Sequence, residues 1–213
     1  MGSNGRKPRA AHDFYSTSPN VVEALVSTGE LHTQPRFFGT SKPAPIWEPA
    51  CGQGHIVKVL NRHGHPVTAS DIADRGFLPA KTGVDFLLER DLLAPVIVTN
   101  PPFSLAADFA RHAFELGCSK LVMLLKMSFL EARCRVDLVR DCPAAHGYNL
   151  SRVYGFIQRA KTEREGMPVA GQPMFHLAWM VWEAVLVKGK ASAQSHTIQF
   201  IQLELPPSEN ENT

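Results

Sequence analysis

The chain contains no run of about 18 apolar residues, the length that a membrane-spanning helix needs. Its four cysteines, Cys51, Cys118, Cys134 and Cys142, form no C-x-x-C pair and match no common zinc spacing. Reduced thiols and no metal are therefore expected. No basic segment followed by an apolar stretch and a small-residue cleavage site opens the chain. Arg6 stands where a myristoylation signal needs Ser or Thr. A surplus of one charge is missing too: 22 Lys and Arg against 20 Asp and Glu leave a formal net charge of +2. That excludes a histone-like binder that coats nucleic acid by bulk charge, so a nucleic-acid partner would have to be met by locally concentrated cations. These absences predict a soluble, cytoplasmic protein that engages no membrane.

What is present suits one α/β domain: 213 residues, 44% of them apolar. Residues 1–13, with Arg6, Lys7 and Arg9, read as a mobile basic arm, 14–203 as a single domain, and 204–213 as a disordered polar tail. Pro19 to Thr28 is helical in pattern, with Val22, Leu25 and Val26 on one face. The proline-rich residues 31–45 read as a loop. From Ile46 strands and helices alternate. Short strands are expected at Ile46–Pro49, Val67–Ser70, Pro95–Thr99 and Leu121–Leu125, and helices at His55–His63, Ala106–Leu116 and Glu131–Arg140. Two β-rich runs follow, Arg152–Gln158 and Leu177–Val187, flanking a charged Gly/Pro-containing stretch from Lys161 to Pro173. Such alternation implies a mainly parallel sheet with helices on both faces. Ligands bind such sheets at the carboxyl ends of the strands, which is where Glu48, Asp71 and Asn100 fall in this reading.

Three constellations carry chemistry. In Glu48-Pro49-Ala50-Cys51-Gly52-Gln53-Gly54 a strand runs through a glycine-bearing turn into a helix. Glycines let a backbone approach a ligand closely, and a helix start offers unpaired N–H groups to an anion. The spacing is neither G-x-G-x-x-G nor a phosphate loop. A plain tight turn would use the same residues. Asp71, at a strand end, can accept two hydrogen bonds from ribose hydroxyls, or simply cap a turn. Val96-Ile97-Val98-Thr99-Asn100-Pro101-Pro102-Phe103 is the most specific segment. The Asn100 side-chain oxygen and the Pro101 carbonyl can each accept an N–H of an aromatic amine. The prolines hold those acceptors still, and Phe103 offers a flat face for a flipped base. His63-Gly64-His65 reads as a polar turn, and Trp179 and Trp182 as packing residues.

Asn100-Pro101-Pro102-Phe103 resembles the (Asn/Asp)-Pro-Pro-(Tyr/Phe) signature of amino-group methyltransferases. Glu48 to Gly54 resembles the cofactor loop of class I S-adenosylmethionine-dependent methyltransferases. Asp13-Phe14-Tyr15-Ser16-Thr17-Ser18-Pro19 resembles the N-terminal cofactor motif of adenine-specific DNA methyltransferases, and Gly83-Val84-Asp85-Phe86-Leu87 the motif that holds the cofactor's adenine. From Asp13 to Glu183 the chain looks like a small phage-type DNA adenine methyltransferase.

The resemblance implies a Rossmann-like class I methyltransferase fold: a mainly parallel seven-stranded sheet with an antiparallel C-terminal strand. It implies S-adenosyl-L-methionine as cofactor, held by Phe14, Tyr15, Thr17, Glu48, Ala50, Cys51, Gly52, Gly54, Asp71, Ile72, Asp85 and Phe86, with Asp91 competing for the role of Asp85. Asn100, Pro101, Pro102 and Phe103 would be catalytic. DNA with a flipped target base would be the partner. Arg159, Lys161 and Arg164, in the charged stretch 161–173 and just before it, are expected to contact its backbone. No recognition domain lies between Asp71 and Asn100, so a short or relaxed recognition sequence is expected. RNA amino groups and protein glutamine remain open as substrates, as does a binding module that kept the fold without the activity.

Overall fold

A computed structural model of the chain describes residues 16–32, 43–156, 163–164, 167–168, 176–185 and 197–201. The expected basic arm and polar tail lie outside these residues, as does most of the stretch 161–173.

The sheet is built from β1 (Ile46–Glu48), β2 (Val67–Asp71), β3 (Lys81–Thr82), β4 (Val96–Thr99), β5 (Lys120–Lys126), β6 (Tyr148–Phe156), β9 (Leu177–Ala184) and β10 (Thr197–Ile201). β7 (Glu163–Arg164) and β8 (Met167–Pro168) pair only with each other. The order across the sheet is β3-β2-β1-β4-β5-β9-β6-β10. β9 runs antiparallel to β5 and β6, and every other pairing in this sheet is parallel. The seven strands β3 to β6 in that order are the expected mixed sheet, and β10 adds an eighth on its edge.

Alternation along the strands creates two apolar layers. Ile97, Leu121, Met123 and Leu125 face α3 (Ala106–Glu115), which buries Phe109, Ala110, Ala113 and Phe114 against them. Val96, Val98, Val122 and Leu124 face the other way, onto α1 (Pro19–Ser27) and α2 (His55–Arg62). In β6 a bulge between Leu150 and Arg152 puts Ser151 out of register, so Leu150 and Val153 share the α3 layer despite their odd spacing. Trp179 and Trp182, three apart on β9, fall in opposite layers, and both are fully buried. Each indole N–H finds a carbonyl, of Val21 and Leu138 respectively, at 2.8 Å. They are packing residues, as expected.

The predicted helix Glu131–Arg140 is not continuous. Met127–Glu131 and Arg133–Arg135 are 3-10 turns, and only Val136–Val139 (α4) is α-helical, before α5 (Cys142–His146). Ala132 takes an extended backbone (φ −87°, ψ 128°), and the Arg135 guanidinium donates to the carbonyls of Phe129 and Ser128. A side chain thus satisfies acceptors that helical N–H groups would otherwise bond. His65, read as part of a polar turn, is buried at 2% exposure, and its Nδ1 pairs with the Ala44 carbonyl.

Candidate active site at the carboxyl edge of the sheet

Glu48 ends β1, Asp71 ends β2 and Asn100 follows β4, so the three polar residues do meet one edge of the sheet. The glycine turn between β1 and α2 is braced by Asp71. Its Oδ2 accepts the Gly52 N–H at 2.8 Å, while Oδ1 accepts the Ala73 N–H at 2.9 Å. Both turn glycines have positive φ, 54° at Gly52 and 74° at Gly54. At Gly54 the missing side chain serves a neighbour: a Cβ there would stand 2.5 Å from the Phe77 ring. Phe77, from the β2–β3 loop, thus caps the turn.

Two cavities open beside this turn. A cleft of ≈ 660 Å³, counted to its solvent mouth, is lined by Pro49, Ala50, Asp71, Ile72, Arg75, Val84, Asp85, Phe86, Asn100, Pro101, Pro102, Leu105 and Phe109. A smaller cavity of ≈ 260 Å³ is lined by Ser16, Thr17, Glu48, Ala50, Cys51, Gln53, His55, Ile56 and Asn100. The two share Ala50 and Asn100. The cleft is mainly apolar with Asp71, Arg75 and Asp85 in its lining, and the small cavity is mainly polar.

Glu48 is the sharpest electrostatic feature. It is 1% exposed, and its Oε2 has no hydrogen-bond partner. Burial pushes its carboxyl well above the usual range, and the nearby Asp71 charge adds to that. An acid so placed awaits a proton or a cation. Cys51 beside it is pushed up to about 12 by burial and by Glu48 and Asp71, so it is a thiol and no nucleophile at neutral pH.

Asn100 is held by the segment before α1: its Nδ2 donates to Thr17 Oγ1 at 3.0 Å. Pro101 and Pro102 line the cleft after it. Phe103 lines neither cavity. It packs among the residues facing α1, and Lys126 Nζ, at the end of β5, sits 4.6 Å from its ring centroid. A base stacked on that face would have to share it with the lysine.

The predicted cofactor residues divide clearly. Ala50, Asp71, Ile72, Asp85 and Phe86 line the cleft, and Thr17, Glu48, Ala50 and Cys51 the small cavity. Asp85 also caps the 3-10 turn Phe86–Leu88 by accepting the Leu87 N–H, and exposed Asp91 lines neither cavity. Gly52 and Gly54 shape the turn. Phe14, Tyr15, Arg159 and Lys161 lie outside the described residues, and Arg164 is described only as backbone of β7.

Sequence reasoning missed Ser16, His55 and Arg75. Ser16 Oγ and His55 Nδ1 are 2.7 Å apart, and Arg75 Nε lies 4.0 Å from Asp71 Oδ1. Their signal was positional: His55 opens the helix after the glycine turn, and Arg75 stands four residues past the strand-end acid.

The fold places the chain among known architectures. A candidate RNA methyltransferase of Pyrococcus horikoshii superposes with a TM-score of 0.62, at 14% identity over 85% of this chain and 91% of its own. The chain has the Rossmann-like methyltransferase fold. A candidate class I S-adenosylmethionine-dependent methyltransferase of Listeria monocytogenes gives 0.60, at 13% identity over 91% of this chain and 68% of its own. The modification subunit of a candidate type I restriction enzyme of Vibrio vulnificus gives 0.51, at 15% identity over 94% of this chain but only 49% of its own length. No protein-family model and no curated protein sequence matches the chain. Among the described residues no helix is long and apolar enough to cross a membrane, and no cluster of three or more metal-ligating side chains occurs.

Proposed function

We propose that the protein is an S-adenosylmethionine-dependent amino-methyltransferase whose target is the 6-amino group of adenine in DNA. The observation that carries this reading is the meeting of the two cavities at Asn100, the first residue of Asn-Pro-Pro-Phe. A nucleoside and an amino acid, linked through a sulfonium, need one cleft of each kind joined in the middle.

The residues fit that cofactor. The Glu48 carboxyl, whose Oε2 is unpartnered, answers an α-ammonium group, which would turn the burial cost of its charge into an ion pair. Asp71 stands at the strand end where ribose hydroxyls are read, and Ile72, Asp85 and Phe86 surround the space for a purine. When bound, S-adenosylmethionine supplies an electrophilic methyl group. The chain supplies position. Asn100 Oδ1 and the Pro101 carbonyl accept the two N–H bonds of the amine and leave its lone pair directed outward. Proline at 101 and 102 removes two backbone donors that would compete for those acceptors. The amine proton leaves to water, so no general base is required.

DNA is favoured over RNA and protein by the likeness of the N-terminal segment Asp13–Pro19 to adenine-specific DNA methyltransferases, while the similar structures include both a candidate RNA methyltransferase and a restriction-enzyme modification subunit. The charged stretch after β6 is assigned to the DNA backbone and the protein to the cytoplasm. The test incubates the protein and labelled S-adenosylmethionine with unmethylated DNA, ribosomal RNA or a glutamine peptide. Label appearing in N6-methyladenine of DNA is the expected result, and label confined to RNA or peptide defeats the assignment.

A further inference from the structure

Glu48 stands in the wall of the small cavity, almost fully buried, with Oε2 unpartnered. The groups packed around it bring no counter-charge. From β2 comes a second carboxylate, Asp71, whose oxygens already accept the Gly52 and Ala73 N–H groups and face Arg75 at 4.0 Å. Arg75 lines the cleft and not the small cavity. From the turn comes Cys51, which is a thiol. After β4 comes Asn100, which carries no charge, and at the start of α2 His55 lies against Ser16. Among the described residues no cation forms an ion pair with Glu48.

A carboxylate taken out of water without a cation is costly, and a second carboxylate beside it adds to the cost. The group avoids both by keeping its proton. Burial and the Asp71 charge push Glu48 that way. An α-ammonium group reverses the balance, because it pairs with a carboxylate and gains much less from a carboxylic acid. Free α-amino groups stay protonated below about 7.7–8.0, so the cofactor arrives as a cation at neutral pH.

We infer that the empty site holds Glu48 as a neutral acid and that S-adenosylmethionine expels its proton on binding: the Glu48 O–H bond breaks, the proton goes to solvent, and the carboxylate accepts N–H from the α-ammonium group. Cofactor loading is thereby coupled to pH. The bound state holds one proton fewer, so affinity rises with pH and levels off once the pH passes the folded value of Glu48. This rests on the S-adenosylmethionine-dependent reading of the site.

The test follows the full chain by calorimetry and by infrared difference spectroscopy between about pH 5.5 and 7.5. Histidine titrates in this range, and the carboxylic-acid C=O stretch keeps Glu48 distinct from His55. The ligand-free wild type should show that band at the acid end, and ligand-free Glu48→Gln should lack it. Should Glu48→Gln fail to fold, Glu48→Ala takes its place. S-adenosylmethionine should remove the band from wild type and bind up to about tenfold tighter per pH unit. Methylthioadenosine, which keeps the nucleoside and sulfur but has no amino-acid end, should leave the band in place. A band unchanged by Glu48→Gln overturns the inference. So does a band that survives S-adenosylmethionine binding, or one that methylthioadenosine also removes; in both cases the functional reading stands. Failure of S-adenosylmethionine to bind at any pH defeats the functional reading and the inference with it.

Discussion

Two buried glutamates mark opposite edges of one sheet, and they are treated in opposite ways. Glu30, near the amino end of β5, is enclosed by Lys120, Arg152 and the Tyr154 hydroxyl, with Glu183 joining the same cations. Burial alone would raise its pKa, but the hydrogen bonds from Arg152, Lys120 and Tyr154 outweigh that and hold it below its usual value. Glu48, at the carboxyl end of β1, is more deeply buried and has an oxygen with no partner at all. One edge has its charges satisfied and is built for stability. The other keeps an unmet charge requirement, and an unmet requirement in a cavity is what a ligand supplies.

The comparison is broken most severely at the working edge. Asn100→Ala should cut methyl transfer by roughly 100- to 1,000-fold while S-adenosylmethionine affinity changes by less than about twofold, read by single-turnover kinetics beside calorimetry. Transfer within a few-fold of wild type would remove Asn100 from the chemistry.

At the structural edge, Glu30→Gln removes the buried carboxylate between Lys120 and Arg152 and leaves both to the more exposed Glu183. A loss of about 3 kcal/mol is expected, read from urea unfolding. Because the folded pKa of Glu30 is lowered, its contribution is complete above 4.5 and fades as pH falls through the folded value. The difference between wild type and variant should therefore shrink in acid.

Glu48→Gln sharpens the contrast by acting in the other direction. The raised folded pKa of Glu48 means that stability falls as pH rises past its ordinary 4.5, where the unfolded chain ionises more readily than the folded one. Removing that charge should stabilise the free protein by about 1 kcal/mol near neutral pH and abolish the rise in Tm that S-adenosylmethionine produces. A destabilised variant that still responds to the cofactor would show that Glu48 is structural.

The smallest effect belongs to His65, away from both glutamates. Burial lowers its pKa and His32 and His63 lower it further, against the raising effect of the Ala44 carbonyl. Its stabilising contribution is present above 6.5 and fades as pH falls below that value. Wild type should lose stability between pH 7.5 and 5.5 that His65→Gln does not lose, read from urea unfolding at the two pH values.

The amino-acid order by itself determined the strand-turn-helix rhythm, the strand-end positions of Glu48, Asp71 and Asn100, and the stiffness of the proline turn, because period, glycine and proline act over a few residues. Some features escaped it. The two-residue strand β3 is too short to show a period, and the break at Ala132 depends on Arg135 reaching back to two carbonyls. Tertiary structure alone decided that Gly54 yields to Phe77, that Phe103 lies under Lys126, and that Thr17 meets Asn100. It also decided which buried glutamate is paired and which is left open. Those outcomes depend on which side chains arrive at one point from segments tens of residues apart, and no local pattern encodes such an encounter.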